Sequence, residues 1–237
     1  SDDWFAIDAV DRIQLIAVAD GAGSKHFSRI GAYAASEQAV KYLKEKLTDL
    51  TAPCDAVETF YAPFGEATDG TAFQAAVQPL VLALQQSMQE AREAVETAYE
   101  QRAEQPRYAD VLGRKPVLAD FASTLLVTIA LPAGATGDTL VLSCQVGDGM
   151  IAAIDAAAPF DKAQRLLGKP DSGEYVGETE FLVSSRVTET AELQKRTMLY
   201  RGHVTHIFAM TDGVADDYFP NEKEMRRLYC DLLANGV

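Results

Sequence analysis

The sequence predicts an α+β fold in which antiparallel strands form the core and helices pack outside them. Three observations carry this. Strands group with strands and helices with helices: two strands, two long helices, a run of strands, then a final helix. That segregation argues against alternating βαβ units. The apolar period also changes along the chain, from helical steps over residues 28–47 and 71–104 to β-branched and apolar runs over 121–154. Finally, three apolar runs end in Asp-Gly: LIAVA before Asp20-Gly21, CQV before Gly147-Asp148-Gly149, and IFAMT before Asp212-Gly213.

Taken in order, Trp4 to Asp8 and Arg12 to Ala19 are two strands, and the short Ala-Val-Asp connection makes them a hairpin. Gly21 to Ser24 is a loop. From Ser28 to Leu47 the pattern is helical, with Val40, Leu43 and Leu47 on one face and Lys41, Lys44, Glu45 and Lys46 mostly off it. Residues 49–70 carry Pro53, Pro63, Gly65 and Gly70 and look irregular. A second long helix is expected over 71–104, where Phe73, Val77, Val81, Leu84 and Met88 recur at i+4 and i+3 steps. Pro79 either kinks this helix or marks its start. Past Met88 the Ala, Glu, Gln and Arg content favours helix.

Phe121 to Leu131, Thr139 to Val146 and Met150 to Ile154 then suggest a meander of strands. Residues 156–177 form a Pro- and Gly-bearing loop, Thr179 to Ser184 a short strand, and His203 to Met210 a longer one. Asn221 to Leu233 is an amphipathic helix with Asn221 as its cap and Glu224 in its first turn.

The chain has 237 residues, 48% of them hydrophobic, which suits one domain with a sizeable core. No apolar stretch reaches the roughly 18–20 residues of a membrane span, and no secretory leader opens the chain. The net charge is −14. Nucleic acid is an unfavourable partner for such a chain, because phosphate-backbone binding needs clustered Lys and Arg. The densest basic group, Lys223, Arg226 and Arg227, is mixed with Glu222 and Glu224. An acidic surface suits a cytoplasmic protein and cation binding, and it repels phosphorylated substrates unless metal reverses the sign locally. Cys54, Cys144 and Cys230 are far apart, with no CxxC, so they are expected to be small buried hydrophobes in a reducing compartment. His203 and His206, three apart in a strand, would point to opposite faces and share no metal.

An Asp-Gly pair is first of all a turn signal. Asp69-Gly70, which follows the polar GEAT, is read as ordinary loop. The other three pairs share a context it lacks. A carboxylate at the end of a buried strand projects at the rim with little freedom, and the Gly behind it lets the backbone turn. Three such acids meeting in space make an oxygen-rich site for hard cations such as Mg²⁺ or Mn²⁺. Other chemistries are poorly marked. Gly21-Ala-Gly-Ser-Lys25 lacks the Gly-Lys-Ser/Thr of a P-loop and the third Gly of a dinucleotide turn. No GxSxG occurs.

In order, VADGAGSKHFSRIGAYAA, FASTLLVTIA, VGDGMIAAI, GETEFL and MTDGVADD resemble the metal-dependent PP2C-type serine/threonine phosphatases, most nearly their bacterial branch. The resemblance runs from residue 2 to about 220, broken by the helical region 49–118. It implies a β-sandwich of two mainly antiparallel sheets flanked by helix pairs, with 71–104 a long member. It also implies hydrolysis of phosphoserine and phosphothreonine in proteins phosphorylated by a partner Ser/Thr kinase. Two Mn²⁺ or Mg²⁺ ions, with a weaker third, would serve the reaction. By the same resemblance Asp20 bridges both metals, Gly21 offers its carbonyl to one, and Asp212 binds the other. Asp148 sits beside Asp212 and helps hold the third metal, with Asp216 near it. Asp2, or less favourably Asp3, is the acid that opens the first motif and contacts metal-bound water. Ser123-Thr124 is structural.

Three departures from the family pattern stand out. Many members carry His two residues after the bridging Asp, where this chain has Ala22; His26 is near but not equivalent. The upstream phosphate-binding Arg of some members would precede residue 1. The family's last metal-binding Asp would follow Val237. The expectation is therefore a single phosphatase domain over 1–237 lacking its first strand and its C-terminal strand or strands. The alternative is a weakly active or inactive regulatory module on the same fold.

Overall fold

The computed structural model describes residues 2–48, 59–65, 70–135, 137–169 and 179–236, with backbone alone at 70 and 71. The chain opens with a hairpin of β1 (Trp4–Val10) and β2 (Ile13–Ala19). A helix, α1 (Ser28–Leu47), follows. After β3 (Phe60–Pro63) come the long α2 (Gly70–Ala103) and the short α3 (Pro106–Leu112). Four strands succeed them: β4 (Leu125–Ala133), β5 (Asp138–Val146), β6 (Met150–Ile154) and β7 (Gln164–Leu166). The chain continues through α4 (Thr190–Arg196), β8 (Thr197–Gly202), β9 (His206–Met210), the single turn α5 (Asp212–Ala215) and α6 (Asn221–Ala234).

Among the described residues these strands form two antiparallel sheets. The larger has the order β1-β2-β4-β5-β8-β3 and the smaller β7-β6-β9. Side-chain alternation explains why the sheets stack. On β4, Leu125, Val127, Ile129 and Leu131 join the helix-side core, while Leu126 and Ala130 face the other way. There they meet Val141 of the same sheet and Ile151, Ala153 and Leu167 from the smaller sheet's side. On β6 the alternate residues Met150, Ala152 and Ile154 pack against Met225, Leu228 and Tyr229 of α6. Strands buried on both faces must be apolar at every step, as β4 nearly is. The result is helix, sheet, sheet, helix.

On the outer face of the large sheet α1 and α2 lie against one another. Ala32, Ala35 and Ala39 are fully buried on α1, so the backbones approach closely. Gly31 takes this to its limit: a Cβ there would lie 1.9 Å from the carbonyl oxygen of Phe121. In an exposed helix Gly→Ala gains about 1 kcal/mol. Here overpacking reverses the sign, and Gly31→Ala is expected to destabilise by about 1–3 kcal/mol. Urea unfolding checks this, and a gain in stability would show that α1 and the 118–121 turn do not touch this way.

Several details differ from the sequence expectation. The hairpin turn is Asp11-Arg12, with Asp11 at φ 50°, not Ala-Val-Asp. A strand, β3, lies in the stretch read as irregular; Phe60 and Tyr61 suit a strand, and Pro63 is tolerated at the sheet edge. Pro79 sits inside α2, which runs through it. The meander stops at β5, because Gly147 at φ 111° turns the chain into the second sheet. The strand expected over Thr179 to Ser184 is absent: the chain passes there through a turn into a short 3-10 helix at Ser185–Thr188, and α4 and β8 follow. Pro220, not Asn221, caps α6. Cys144 is buried but Cys230 is exposed, and Cys54 and Asp69 lie outside the described residues. Of the two histidines only His206 is in the strand. Among the described residues no helix is long and apolar enough to cross a membrane.

Candidate metal centre

The first Asp-Gly pair sits at the open end of the hairpin. Trp4 is the last residue of β1 to pair, opposite Ala19. One step further along the same register, Asp3 faces Asp20, and the two carboxyls are hydrogen-bonded. Asp2 lies instead against Gly21. A Cβ on Gly21 would fall 2.8 Å from the Asp2 carbonyl oxygen and 2.9 Å from its Cβ, so only glycine fits. The Asp20 backbone is tied to the 122–124 segment. Its N–H donates to Thr124 Oγ1 at 2.9 Å, and its carbonyl accepts from Thr124 N–H at 2.8 Å. Gly21 bridges Ser123, and Ala22 N–H donates to Ala122 O at 3.0 Å. Ser123 and Thr124 are buried and hold the acid-bearing backbone in place.

The second pair is held by a buried amide. Gln145 Nε2 donates to the carbonyls of Gly147 at 3.0 Å and Gly149 at 2.6 Å, the two residues flanking Asp148. Thr179 Oγ1 donates to Asp148 Oδ2. The β6–β9 ladder ends at Met150 paired with Met210, and Asp148 and Asp212 each lie two residues past that pair. Both acids thus lie just beyond the same end of this ladder.

Asp212 opens α5, where its Oδ1 accepts from Gly213 N–H at 2.7 Å. Its carboxyl also hydrogen-bonds Asp20. Asp216 is exposed one helical turn on, at the start of the 216–218 turn.

Burial first, then the hydrogen bond and charge of Asp3, then those of Asp212, push the Asp20 carboxyl up to about 8. Acids gathered without a neutralising cation hold protons. Among the described residues no three His, Cys, Asp or Glu side chains stand around a common centre as a finished ligand cage. Asp3 and Asp212 lean on Asp20 through hydrogen bonds instead. The donor set still fits a hard divalent cation, being all oxygen, clustered at one rim, and in excess of negative charge that such an ion would neutralise.

The folded chain thus joins Asp20, Asp212 and Asp3, leaves Asp148 and Asp212 just past one end of the β6–β9 ladder, and puts Asp2 against Gly21. Thr179 lies within the GETEFL motif and Gln145 in the run before Gly147, but nothing in the sequence assigned either of them a role. Position 22, where many relatives have His, is a buried Ala, and His26 is exposed. The other histidines are occupied elsewhere: His203 Nδ1 is 2.8 Å from Asp155 Oδ1, and the His206 ring packs tilted against Tyr229 with centroids 4.6 Å apart.

A family model described as protein phosphatase 2C matches residues 1–236. Among solved structures, a bacterial serine phosphatase bearing a point mutation superposes with a TM-score of 0.51 at 12% identity, covering 97% of this chain and 78% of that one. Stp1 from Staphylococcus aureus gives 0.47 at 12% identity, over 98% of this chain and 84% of that one. The PstP catalytic domain, solved with 2 manganese ions, gives 0.44 at 11% identity, over 96% and 83%. No functionally curated protein matches the chain. At such identities the first of these structures speaks for the fold alone, and the sandwich with helices outside agrees with it. The family model, matching nearly every residue, speaks for more: this chain belongs to the protein phosphatase 2C family.

Proposed function

We propose that the protein is a Mn²⁺- or Mg²⁺-dependent phosphatase that removes phosphate from serine and threonine of proteins, its substrates made by a partner kinase. The convergence of Asp3 and Asp212 on Asp20 at one sheet rim carries this reading. Two divalent ions would supply Lewis-acid charge and an activated water for phosphate-ester hydrolysis. Asp20 would bridge them, Gly21 would lend its carbonyl to one, and Asp212 would take the other. Asp148 and Asp216 would serve a weaker third. Of the two N-terminal acids, Asp3 is the better placed for the role expected of Asp2, because it is the one facing Asp20. To act as a ligand, Asp20 must first release the proton that its neighbours favour. The acidic rim also makes phosphate binding conditional on cation, since a chain of net charge −14 repels a phosphate dianion. The charge and the scattered cysteines fit a cytosolic setting.

The test is hydrolysis of p-nitrophenyl phosphate and a phosphothreonine peptide. Activity is expected with Mn²⁺, none after EDTA, and recovery on adding metal back. Turnover that survives chelation would sink the proposal. Ala22 favours a second reading, a regulatory module with little catalysis, which predicts Mn²⁺ binding without turnover of either ester.

A further inference from the structure

Beside the second Asp-Gly pair lies a contact that the metal-ligand assignments do not use. Thr179 Oγ1 is 2.5 Å from Asp148 Oδ2. The hydroxyl is the donor, since an ionised carboxylate only accepts. The next residue anchors the segment. Glu180 is ion-paired with both Arg186 and Arg196. The Arg196 side chain is largely buried, and its Nη1 also donates to the carbonyl of Gln145. Gln145 in turn holds the carbonyls on either side of Asp148 through its amide. The backbone of Asp148 and the partner of its carboxylate are therefore fixed from one connected group of side chains.

We propose that Thr179 is a positioning residue for Asp148. Its hydroxyl holds Oδ2, which leaves Oδ1 turned outward for the weaker cation, and the Glu180–Arg196 pair keeps Thr179 at that spot. The inference rests on the metal-dependent reading above and adds a residue to it. A donated hydrogen bond withdraws some charge from the carboxylate, which by itself weakens a ligand. Orientation outweighs that loss, because a carboxylate free to rotate seldom presents the right oxygen. Losing such an outer partner typically lowers metal affinity about 10–100-fold.

The experiment is calorimetric titration of the full chain with Mn²⁺, comparing wild type with Asp148→Asn, Thr179→Val and Thr179→Ser. Asp148→Asn identifies the binding event that belongs to Asp148. Thr179→Val keeps the shape and removes the donor; it is expected to weaken that same event about tenfold or more and leave the tighter ones unchanged. Thr179→Ser restores the donor and should fall within about twofold of wild type, a rescue that a merely structural methyl contact would not give. Unchanged binding in Thr179→Val, or no rescue by serine, overturns the role of Thr179 while leaving the metal centre standing. A wild type that binds no Mn²⁺, or binding indifferent to Asp148→Asn, overturns it as well, the former together with the metal-dependent reading.

Discussion

Asp20→Asn is expected to abolish Mn²⁺-dependent ester hydrolysis, by about 10³-fold or more, while making the metal-free protein more stable. The two effects share one cause. Asp20 is pressed by burial and by the carboxyls of Asp3 and Asp212, which hold its proton on up to about pH 8. The folded state therefore binds more protons than the unfolded chain between the ordinary carboxylate range and pH 8. Linkage then makes metal-free stability fall as pH rises through that window and level off above it. Asparagine cannot ionise, so the variant should lack this slope and gain most at pH 8. Each kcal/mol recovered raises the thermal midpoint by about 2–4 °C. Thermal melts in EDTA from pH 5 to 8.5, beside initial rates in Mn²⁺, check both halves. Equal slopes in the two proteins would mean that the acids do not strain the fold.

The second large effect lies at Gly147. An L side chain there faces two obstacles at once. The backbone stands at φ 111°, and a Cβ would lie 2.4 Å from Thr124 Cγ2 and 2.5 Å from Thr124 Cβ. Strain and overpacking together place the cost of Gly147→Ala at about 3–5 kcal/mol. A cost of this size is a large part of a typical domain's stability. Thr124 is also the residue that grips Asp20 through its hydroxyl and its N–H, so the displacement should reach the first motif. Mn²⁺ affinity is then expected to fall even in the fraction that folds. Adding Thr124→Ser, which removes Cγ2 and keeps the hydroxyl, should return part of the loss as a favourable coupling. Urea unfolding of the single and double variants measures it. Additive losses would show that the two residues are not in contact.

The long helices and the strand runs were legible because their patterns are strong. Ser28–Leu47 and Gly70–Ala103 carry sustained helical spacing, and β4 to β6 are apolar runs cut by glycine. Elements decided by tertiary contact were not legible. Nothing local tells β6 to leave its neighbours, since that depends on the backbone angle at Gly147. The short β3 and β8 owe their state to the sheet they complete. At the site, Asp20, Asp148 and Asp212 stood out because each ends an apolar run ahead of glycine. Asp2 was preferred to Asp3 on motif likeness alone, whereas the pairing of Trp4 with Ala19 puts Asp3 beside Asp20. Gln145 resembled any polar residue on a strand, and Thr179 gained meaning only when the fold brought residue 148 to it.

The hairpin turn has a reach that its own location conceals. Asp11-Arg12 lies at the far end of β1 and β2 from the acids, about 20–25 Å away for seven residues at strand rise. The turn nevertheless works as a ruler for the metal centre, because its length counts out which N-terminal residue stands beside Asp20. Inserting one residue there would carry Asp3 off its mark and exchange the inward and outward faces of β1. Ala6 would leave the core, and Phe5 or Ile7 would be driven toward it. A site composed of rim acids can thus be disarmed by a change that touches none of them, and variation in this protein should be better tolerated in the identity of residues 11 and 12 than in their number.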